Sequence, residues 1–289
     1  MGSFREYLQK RQYSPKSIER YQLELANYQR WLKKKQIEEK YASYSDVMQY
    51  ISYLQKEGKE KTTIAKYVNS VKQYYKYLVV EKEIIKNPAE AVELKSVKKR
   101  ILYEILSPQE LEELYKAYPE ESSKDRRNKV MLSLLIYQGV STSELRKLEV
   151  KDIQLREGKI YVPGGRKSNE RTLDLKAFQL LDLQEYVLQT RPKLLKTYQK
   201  ETEKLFTTYG SGNRLGNDLE KLLKQLQHIN KEVESYKQLR ASVITRWIQI
   251  HNLREAQYKA GHKYVSSTEK YKLNDLENLR EKVSRYHPI

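Results

Sequence analysis

The residues best suited to chemistry in this chain lie toward its C-terminal end. Gly261 and His262 are followed by Tyr271, nine residues after the histidine, and Arg240 precedes all three. A tyrosine hydroxyl can attack a phosphodiester if neighbouring positive charge and a proton acceptor assist it, because its ordinary pKa is about 10. Since the chain holds 25 tyrosines in 289 residues, the spacing of this set carries more weight than the tyrosine alone.

The overall charge favours an anionic partner. Lys and Arg number 56 against 38 Asp and Glu, so the formal net charge is +18. The basic residues are spread along the whole chain, which is typical of proteins that bind DNA or RNA. A soluble protein that is simply basic is the alternative. The aromatic content is mostly tyrosine, and this predicts surfaces that contact phosphates and sugars.

Composition also excludes several classes of protein. The absence of cysteine excludes disulfides, thiolate metal sites and a cysteine nucleophile. The four histidines lack the i, i+4 spacing of a helical zinc motif, so no metal centre is expected. No stretch approaches the roughly 18 apolar residues of a membrane helix, and the N-terminus lacks the apolar region of a signal peptide. We therefore expect a cytoplasmic protein.

The N-terminal part has a helical pattern. Apolar residues recur at intervals of three and four from Ser14 to about Val80. Helices are predicted to begin near Ser14, near Ser45 and near Thr62. This pattern predicts a helical bundle, and the short segment before Ser14 leaves little room for a separate arm-binding domain.

A linker is indicated between two domains. Asn87 and Pro88 stop a helix, whereas Ser107 and Pro108 are typical of a capped helix start, with Glu110 three residues past the cap. The predicted organisation is a helical DNA-binding domain at residues 1–86, a linker at 87–105 and a second domain at 106–289.

In the second domain, the spacing of apolar residues changes partway along from a helical to a strand pattern. Three short strands, joined by turns that contain glycine, predict a small antiparallel sheet at residues 152–155, 159–162 and 171–175. Helices are predicted at residues 129–137, 142–148, 176–188, 218–227, 233–250, 254–260 and 275–284. The fold class is therefore mainly α with a small antiparallel β-sheet.

Lysines and an arginine in the first domain and the linker are candidate contacts to the DNA backbone. Each phosphate that they neutralise would release counterions and add affinity that is independent of sequence. The alternative is a solvated basic face. The candidates are Lys66, Lys72, Lys98, Lys99 and Arg100.

Three elements near the C-terminus match a known signature. The segment from Lys237 to Arg240, the pair Gly261-His262 and the later Tyr271 resemble, in residue type and spacing, the second signature of the tyrosine recombinase, or phage integrase, family. Tyr264 competes in principle as the nucleophile, but it lies only two residues after His262. Tyr271 is therefore the predicted nucleophile.

The resemblance covers nearly the whole chain. The segment from Gly139 to Leu145 resembles the family's first signature, and the turn that carries Arg166 and Lys167 resembles its lysine-bearing hairpin. The N-terminal helices and the Asn87-Pro88 linker match the family's core-binding domain and hinge. The resemblance implies a SAM-like helical bundle followed by an α+β catalytic domain of the DNA breaking-rejoining fold.

The same resemblance implies a site-specific DNA recombinase. Tyr271 would attack phosphorus, form a covalent 3′-phosphotyrosine and free a 5′-hydroxyl, and strand exchange would pass through a Holliday junction. Arg240 and Lys237 would offset charge on the non-bridging oxygens. His262 would orient the phosphate or take a proton. The covalent bond retains the energy for rejoining, so no metal or nucleotide cofactor is expected.

The sequence leaves two assignments open: the acid that protonates the leaving oxygen, and the residue that replaces the family's first-signature arginine. Lys167 is expected to protonate the leaving oxygen, with Arg166 as the alternative. Ser141 stands where the family's first signature has an arginine. The loss of such a donor costs about 3 to 4 kcal/mol of transition-state stabilisation unless another group replaces it. The candidate substitutes are Arg146, Lys147 and Arg166.

Two other functions are compatible with these residues. A non-catalytic, sequence-specific DNA-binding regulator would keep the fold and lose the covalent step, and Ser141 is its main support. A type IB topoisomerase-like enzyme would use the same chemistry to relax DNA alone. A recombinase would instead assemble as a homotetramer on two DNA sites through its C-terminal tail, residues 276–289. An accessory DNA-bending protein is a further candidate partner.

Overall fold

The chain forms two compact units, which are helical apart from one small sheet. They comprise Met1–Arg100 and Ile101–Ile289. The structure is a computed structural model, and it describes residues 2–94, 104–166, 168–210 and 215–272. Its secondary structure confirms the predicted fold class. No helix within these ranges is long and apolar enough to cross a membrane.

Among its described residues, 2–94, the first unit contains four α-helices. They are α1 (Phe4–Lys10), α2 (Pro15–Lys34), α3 (Tyr44–Lys56) and α4 (Lys61–Val80). Ser14 caps α2, as predicted. Helix α3 begins near Ser45, as predicted, but its cap is Ser43, whose N–H donates to the Asp46 carboxylate at 2.8 Å. Helix α1, with its own capping serine, was not predicted.

Tyrosines form much of the core of this unit. The side chains of Tyr28, Tyr50 and Tyr75 are completely buried. The hydroxyls of Tyr28 and Tyr75 hydrogen-bond at 3.0 Å, and that of Tyr50 donates to Asn27 Oδ1 at 2.9 Å. The prediction that the tyrosines serve phosphate-contacting surfaces is therefore wrong for these three, because their rings pack against one another.

In the ranges that the structure describes, the second unit contains eight α-helices with both ends defined, a helical segment at residues 266–272 and three strands. The helices are α5 (Pro108–Ala117), α6 (Ser123–Tyr137), α7 (Thr142–Leu145), α8 (Ala177–Glu185), α9 (Arg191–Tyr198), α10 (Leu215–Ile229), α11 (Tyr236–Ile250) and α12 (Leu253–Ala260). Ser107 caps α5 together with Glu110, as predicted. Helix α9, which follows a π-helical turn, was not predicted. The predicted helix at 275–284 lies outside the described residues.

The strands form an antiparallel sheet in the order β1-β2-β3, as predicted. They are β1 (Ile153–Gln154), β2 (Lys159–Val162) and β3 (Arg171–Asp174). Ile160 pairs with Leu173, and Val162 pairs with Arg171. All four of these residues are buried. Because alternate residues of a strand face the same side, Arg171 points inward with Leu173, at a position where an apolar residue is usual.

Three elements around α11 define the site. Helix α6 is buried on all sides from Arg127 to Ile136 and packs against α11, and α12 packs against α11 and β3. The turn after α6 contains Gly139 at φ +55°, and a Cβ there would lie 3.0 Å from the Trp247 ring of α11. The backbone of this turn can therefore approach α11 closely only with glycine at this position.

Candidate active site

Arg240 lies on α11, and its side chain reaches the turn after α6 and the end of α12. Its side chain is 15% exposed, and it donates hydrogen bonds to the carbonyl oxygens of Gly139 and Ala260. It also contacts Glu144 Oε2 at 3.3 Å. Burial lowers the pKa of Arg240, while Glu144 and a hydrogen bond to Tyr271 raise it. A guanidinium remains charged in proteins, so the site holds a fixed positive charge next to Tyr271.

His262 and Tyr271 lie against each other. Helix α12 ends at Gly261, which has φ +65°, and His262 follows directly. Residues 266–272 are helical and carry Tyr271 back over the histidine. The two rings stack with centroids 5.7 Å apart and planes 11° apart. The alternative nucleophile, Tyr264, is 64% exposed.

The environment of His262 keeps its imidazole neutral. Burial, together with the positive charges of Arg240 and Arg171, lowers the pKa of His262 to about 4. Its Nδ1 lies 2.9 Å from Thr268 Oγ1, and its backbone N–H donates to Gln257 O. At neutral pH the ring can therefore accept a proton or a hydrogen bond from a substrate.

Glu144 joins two arginines beneath this site. Its Oε1 accepts from Arg171 Nη1 at 2.7 Å, and its Oε2 contacts Arg240. Burial tends to raise the pKa of Glu144, but the hydrogen bond and charge of Arg171 and the charge of Arg240 lower it to about 2. Sequence reasoning missed both Glu144 and Arg171 as site residues. The signal for Arg171 was its charge at an inward position of β3.

Ser141 has a structural role at the start of α7. Its Oγ accepts from the Glu144 N–H at 3.3 Å, and its own N–H donates to Glu144 Oε2 at 2.8 Å. This reciprocal pair is a capping box, which satisfies backbone donors at the start of a helix. The Ser141 backbone N–H thus holds the Glu144 carboxylate that contacts Arg240, and the Ser141 hydroxyl caps the helix.

The three candidate substitutes for an arginine at 141 are all exposed. Arg146 and Lys147 follow α7. The Arg146 guanidinium lies over Gly216, at the start of α10, and the Lys147 ammonium lies beside Gly165, in the turn between β2 and β3. Arg166 occupies that turn. The turn itself is held beside the histidine, because Asn169 donates its N–H to Gly261 O and Ser168 bridges to His262.

The remaining predicted residues are more scattered. Lys237 is exposed, one turn before Arg240 on α11, and Lys66 is exposed on α4. Lys72 is half-buried, and its ammonium donates to Glu90 O at 3.2 Å. Lys167, Lys98, Lys99, Arg100 and the tail at 276–289 lie outside the described residues. No cluster of His, Asp and Glu in the described ranges has the arrangement of a metal site.

Two family descriptions match the chain. "Phage integrase, N-terminal SAM-like domain" matches residues 2–82, and "Phage integrase family" matches residues 104–277. The first supports a SAM-like N-terminal domain and the second an integrase catalytic domain.

Relatives of this kind align over the full length of the chain. The tyrosine recombinase XerC of Halalkalibacterium halodurans is 29% identical over 298 residues, which cover 100% of this chain and 97% of that protein. The tyrosine recombinase XerD of Oceanobacillus iheyensis is 28% identical over 284 residues, covering 95% and 93%.

Solved structures show the same fold. The XerH site-specific recombinase bound to palindromic difH substrate in a post-cleavage complex superimposes with a TM-score of 0.72 and 21% identity, covering 93% of this chain and 80% of that one. A lambda integrase dimer bound to a COC′ core site superimposes with a TM-score of 0.66 and 14% identity, covering 93% of this chain and 92% of that one. The comparisons favour a recombinase over the regulator and topoisomerase alternatives. The chain belongs to the phage integrase family, the tyrosine site-specific recombinases.

Proposed function

We propose that Tyr271 cleaves DNA by attacking a phosphodiester. Its hydroxyl oxygen would form a bond to phosphorus, and the bond from phosphorus to the 5′ oxygen would break. The products are a 3′-phosphotyrosine and a strand that ends in a 5′-hydroxyl. The observation that carries this proposal is the ring of His262, neutral because of its lowered pKa, stacked on the ring of Tyr271, in a site where the charge of Arg240 acts on both side chains.

Arg240 has the chemistry to stabilise the transition state. A guanidinium held by the Gly139 and Ala260 carbonyls does not have to reorganise when charge develops on the phosphate oxygens. His262 supplies a neutral ring nitrogen that can take the Tyr271 proton or bind a phosphate oxygen. Lys237, on the exposed side of α11, would contribute charge further from the reacting atoms.

The leaving 5′ oxygen needs a proton, and the turn between β2 and β3 is its proposed source. Lys167 remains the predicted acid and Arg166 the alternative. The support is the position of the turn, since Ser168 and Asn169 pair with the backbone at His262 and Gly261. The exposed Lys147 ammonium, beside Gly165, is a further cation at this turn.

We also propose that the substrate is double-stranded DNA with a specific recombination site. The solved relatives are recombinases bound to DNA, and the net charge of +18 favours a polyanion. Lys66, Lys98, Lys99 and Arg100 would contact the backbone, whereas Lys72 would need to release Glu90. The linker at 87–105 would join the two DNA-binding domains. Exchange through a Holliday junction would require a homotetramer, joined by residues 276–289, and an accessory DNA-bending protein would assist its assembly.

A nicked suicide substrate tests the cleavage step. A DNA site selected from a random library by binding to the protein would carry a nick next to the cleavage position, so that the released fragment diffuses away and the adduct accumulates. We expect a covalent protein-DNA adduct on a denaturing gel with the wild type and with Tyr264→Phe. Tyr271→Phe removes the nucleophilic oxygen and should give no adduct while it still binds the site.

The same assay separates the recombinase from the regulator. A selected site that is bound specifically but gives no adduct with wild-type protein would favour a non-catalytic regulator. Relaxation of supercoiled DNA without exchange between two sites would favour a topoisomerase-like activity. An adduct that persists in Tyr271→Phe would refute the assignment of the nucleophile.

A further inference from the structure

The buried charges beneath Tyr271 do not balance. Two guanidiniums, of Arg171 and Arg240, share the single carboxylate of Glu144. The side chain of Arg171 is 0% exposed, that of Glu144 is 7% exposed and that of Arg240 is 15% exposed. Buried charges are normally paired, because removing an unpaired charge from water is costly. The cluster therefore carries one positive charge in excess and favours the approach of an anion.

Arg171 is fixed in this cluster from three directions. Its Nη1 donates to Glu144 at 2.7 Å and its Nε donates to Lys259 O at 2.7 Å. A Cβ on Gly261 would lie 2.9 Å from Arg171 Cζ, so glycine at 261 makes room for the guanidinium. Its Nη2 is buried and has no hydrogen-bond partner among the described residues. An unsatisfied buried donor is costly. The two hydrogen bonds and the surrounding packing therefore hold this guanidinium in place despite that cost.

The two arginines also hold the end of α12. The carbonyl of Lys259 accepts from Arg171, that of Ala260 from Arg240 and that of Gly261 from the Asn169 N–H. The last carbonyls of a helix have no partner within the helix. These three bonds therefore fix the backbone that leads directly into His262.

We propose that Arg171 is a positioning residue for DNA cleavage, which holds Arg240 through Glu144 and supplies the second buried arginine charge that the residue at Ser141 lacks. The inference rests on the proposed function of the Tyr271 site. Arg171 does not need to touch the phosphate, because it acts through the orientation of Arg240 and through its positive charge.

Arg171 differs from the other basic residues near the site in being buried. Arg146, Lys147 and Arg166 are exposed, so water and salt screen their charges. The interaction between charges is much stronger away from bulk water. The positive charge of Arg171 already lowers the pKa of His262, together with burial and Arg240. Arg171 therefore acts electrostatically on the proposed catalytic histidine.

The test compares Arg171 with a second buried arginine of the same unit. Arg127 is 2% exposed, pairs with Asp218 at 3.0 Å and donates to Thr207 O, so it matches Arg171 in burial and pairing. In single-turnover cleavage at saturating suicide substrate, we expect Arg171→Met to lower the rate about 100-fold, the size of effect that follows a displaced catalytic group. Arg171→Lys should recover a large part of that loss. Arg127→Met should keep the rate of its folded fraction within about threefold, since it changes stability only.

A second measurement does not depend on cleavage. The pKa of His262, followed by NMR in the free protein, should rise in Arg171→Met and stay unchanged in Arg127→Met, because Arg171, unlike Arg127, places its charge on the histidine. If Arg171→Met fails to fold, as judged by thermal melting, Arg171→Lys carries the comparison. Its cleavage rate should then fall below that of Arg127→Lys.

Three results would overturn the role of Arg171. They are an unchanged cleavage rate in both Arg171 variants, equal losses in the Arg171 and Arg127 variants, and a His262 pKa that does not respond to Arg171→Met. Failure of the proposed function would give a different result, because the wild-type protein would then form no adduct. The His262 titration would still report on the cluster in that case.

Discussion

Both units of the protein bury polar side chains, but the two networks differ in charge. In the first unit the hydroxyls of Tyr28 and Tyr75 bond to each other, and that of Tyr75 reaches Glu39 O at 3.1 Å. Burial raises the pKa of Tyr28 to about 12, so this pair is neutral. In the second unit, Arg171 and Arg240 share one carboxylate. One network is satisfied by its own partners, and the other holds an excess positive charge.

This difference separates stability from function. A neutral, satisfied network contributes packing and hydrogen bonds, and its loss should change only the free energy of unfolding. A buried network with excess charge costs stability and is retained where a ligand compensates it. The predictions below test that separation, beginning with the largest expected effect.

Replacement of Arg240 should have the largest effect. Arg240→Met removes the guanidinium that holds the Gly139 and Ala260 carbonyls of the site, and we expect the cleavage rate to fall by about 100-fold to 1,000-fold, as for the loss of an oxyanion donor. Arg246, exposed on the same helix, is the matched control. Single-turnover adduct formation measures both. Similar losses in Arg240→Met and Arg246→Met would mean that α11 contributes only general positive charge.

Gly261 should be more sensitive than another glycine with the same backbone conformation. Gly261 has φ +65° and Gly158 has φ +66°, so alanine incurs the same conformational cost at both. Only Gly261→Ala would also displace Arg171, because Gly158 faces nothing nearer than Leu180 at 3.6 Å. We expect Gly158→Ala to cost about 1 kcal/mol of stability and to leave cleavage unchanged. Gly261→Ala should lower both quantities, and equal behaviour of the two variants in unfolding and cleavage assays would contradict the packing of Arg171.

The ionisation of His262 should report the excess positive charge. Its pKa in the folded protein is lowered to about 4, against about 6.5 in an unfolded chain. Folding therefore favours the neutral ring, so His262 does not affect stability above about pH 6.5 and reduces stability as the pH falls toward 4. An NMR titration, assigned with His262→Asn, should give a midpoint near 4 without DNA and a higher one with DNA, whose phosphate offsets the arginines. A midpoint near 6.5 in the free protein would show that neither burial nor the two arginines act on the ring.

The neutral network should give the smallest effect on chemistry. Tyr75→Phe removes the hydroxyl that bonds to Tyr28 and Glu39, and we expect a loss of about 1 kcal/mol in the free energy of unfolding. Cleavage by the folded protein should not change. Tyr41→Phe, at a side chain that is 79% exposed, is the control and should leave urea unfolding unchanged. A fall in the cleavage rate of Tyr75→Phe would break the separation between the two networks.

Local sequence rules predicted elements whose signals are local. Ser14 and Ser107 cap their helices as expected, because a serine, a following proline and, at Ser107, a glutamate define the start within a few residues. The cap of α3 was misassigned because Ser43 and Ser45 both precede Asp46 closely, and only Ser43 has the capping-box spacing. Tyr271, His262 and Arg240 could be grouped because their residue types and spacing resemble the family's second signature.

The network beneath the site could not be predicted in the same way. Arg171 and Glu144 are 27 positions apart, and nothing local to either residue indicates that they pair. Arg171 carries a charge at an inward strand position, but its burial depends on Gly261 and on the carbonyl of Lys259. The tyrosines of the first unit were misinterpreted for a related reason, since composition does not distinguish a buried hydroxyl from an exposed one.

The central claim is that the oxygen of Tyr271 becomes covalently bound to DNA. The most direct measurement is mass spectrometry of the adduct trapped on a nicked suicide substrate, after digestion of both the protein and the DNA. The account predicts a peptide that carries a nucleotide on Tyr271. A nucleotide on Tyr264 or on any other residue, or a specific complex that never yields a modified peptide, would contradict it.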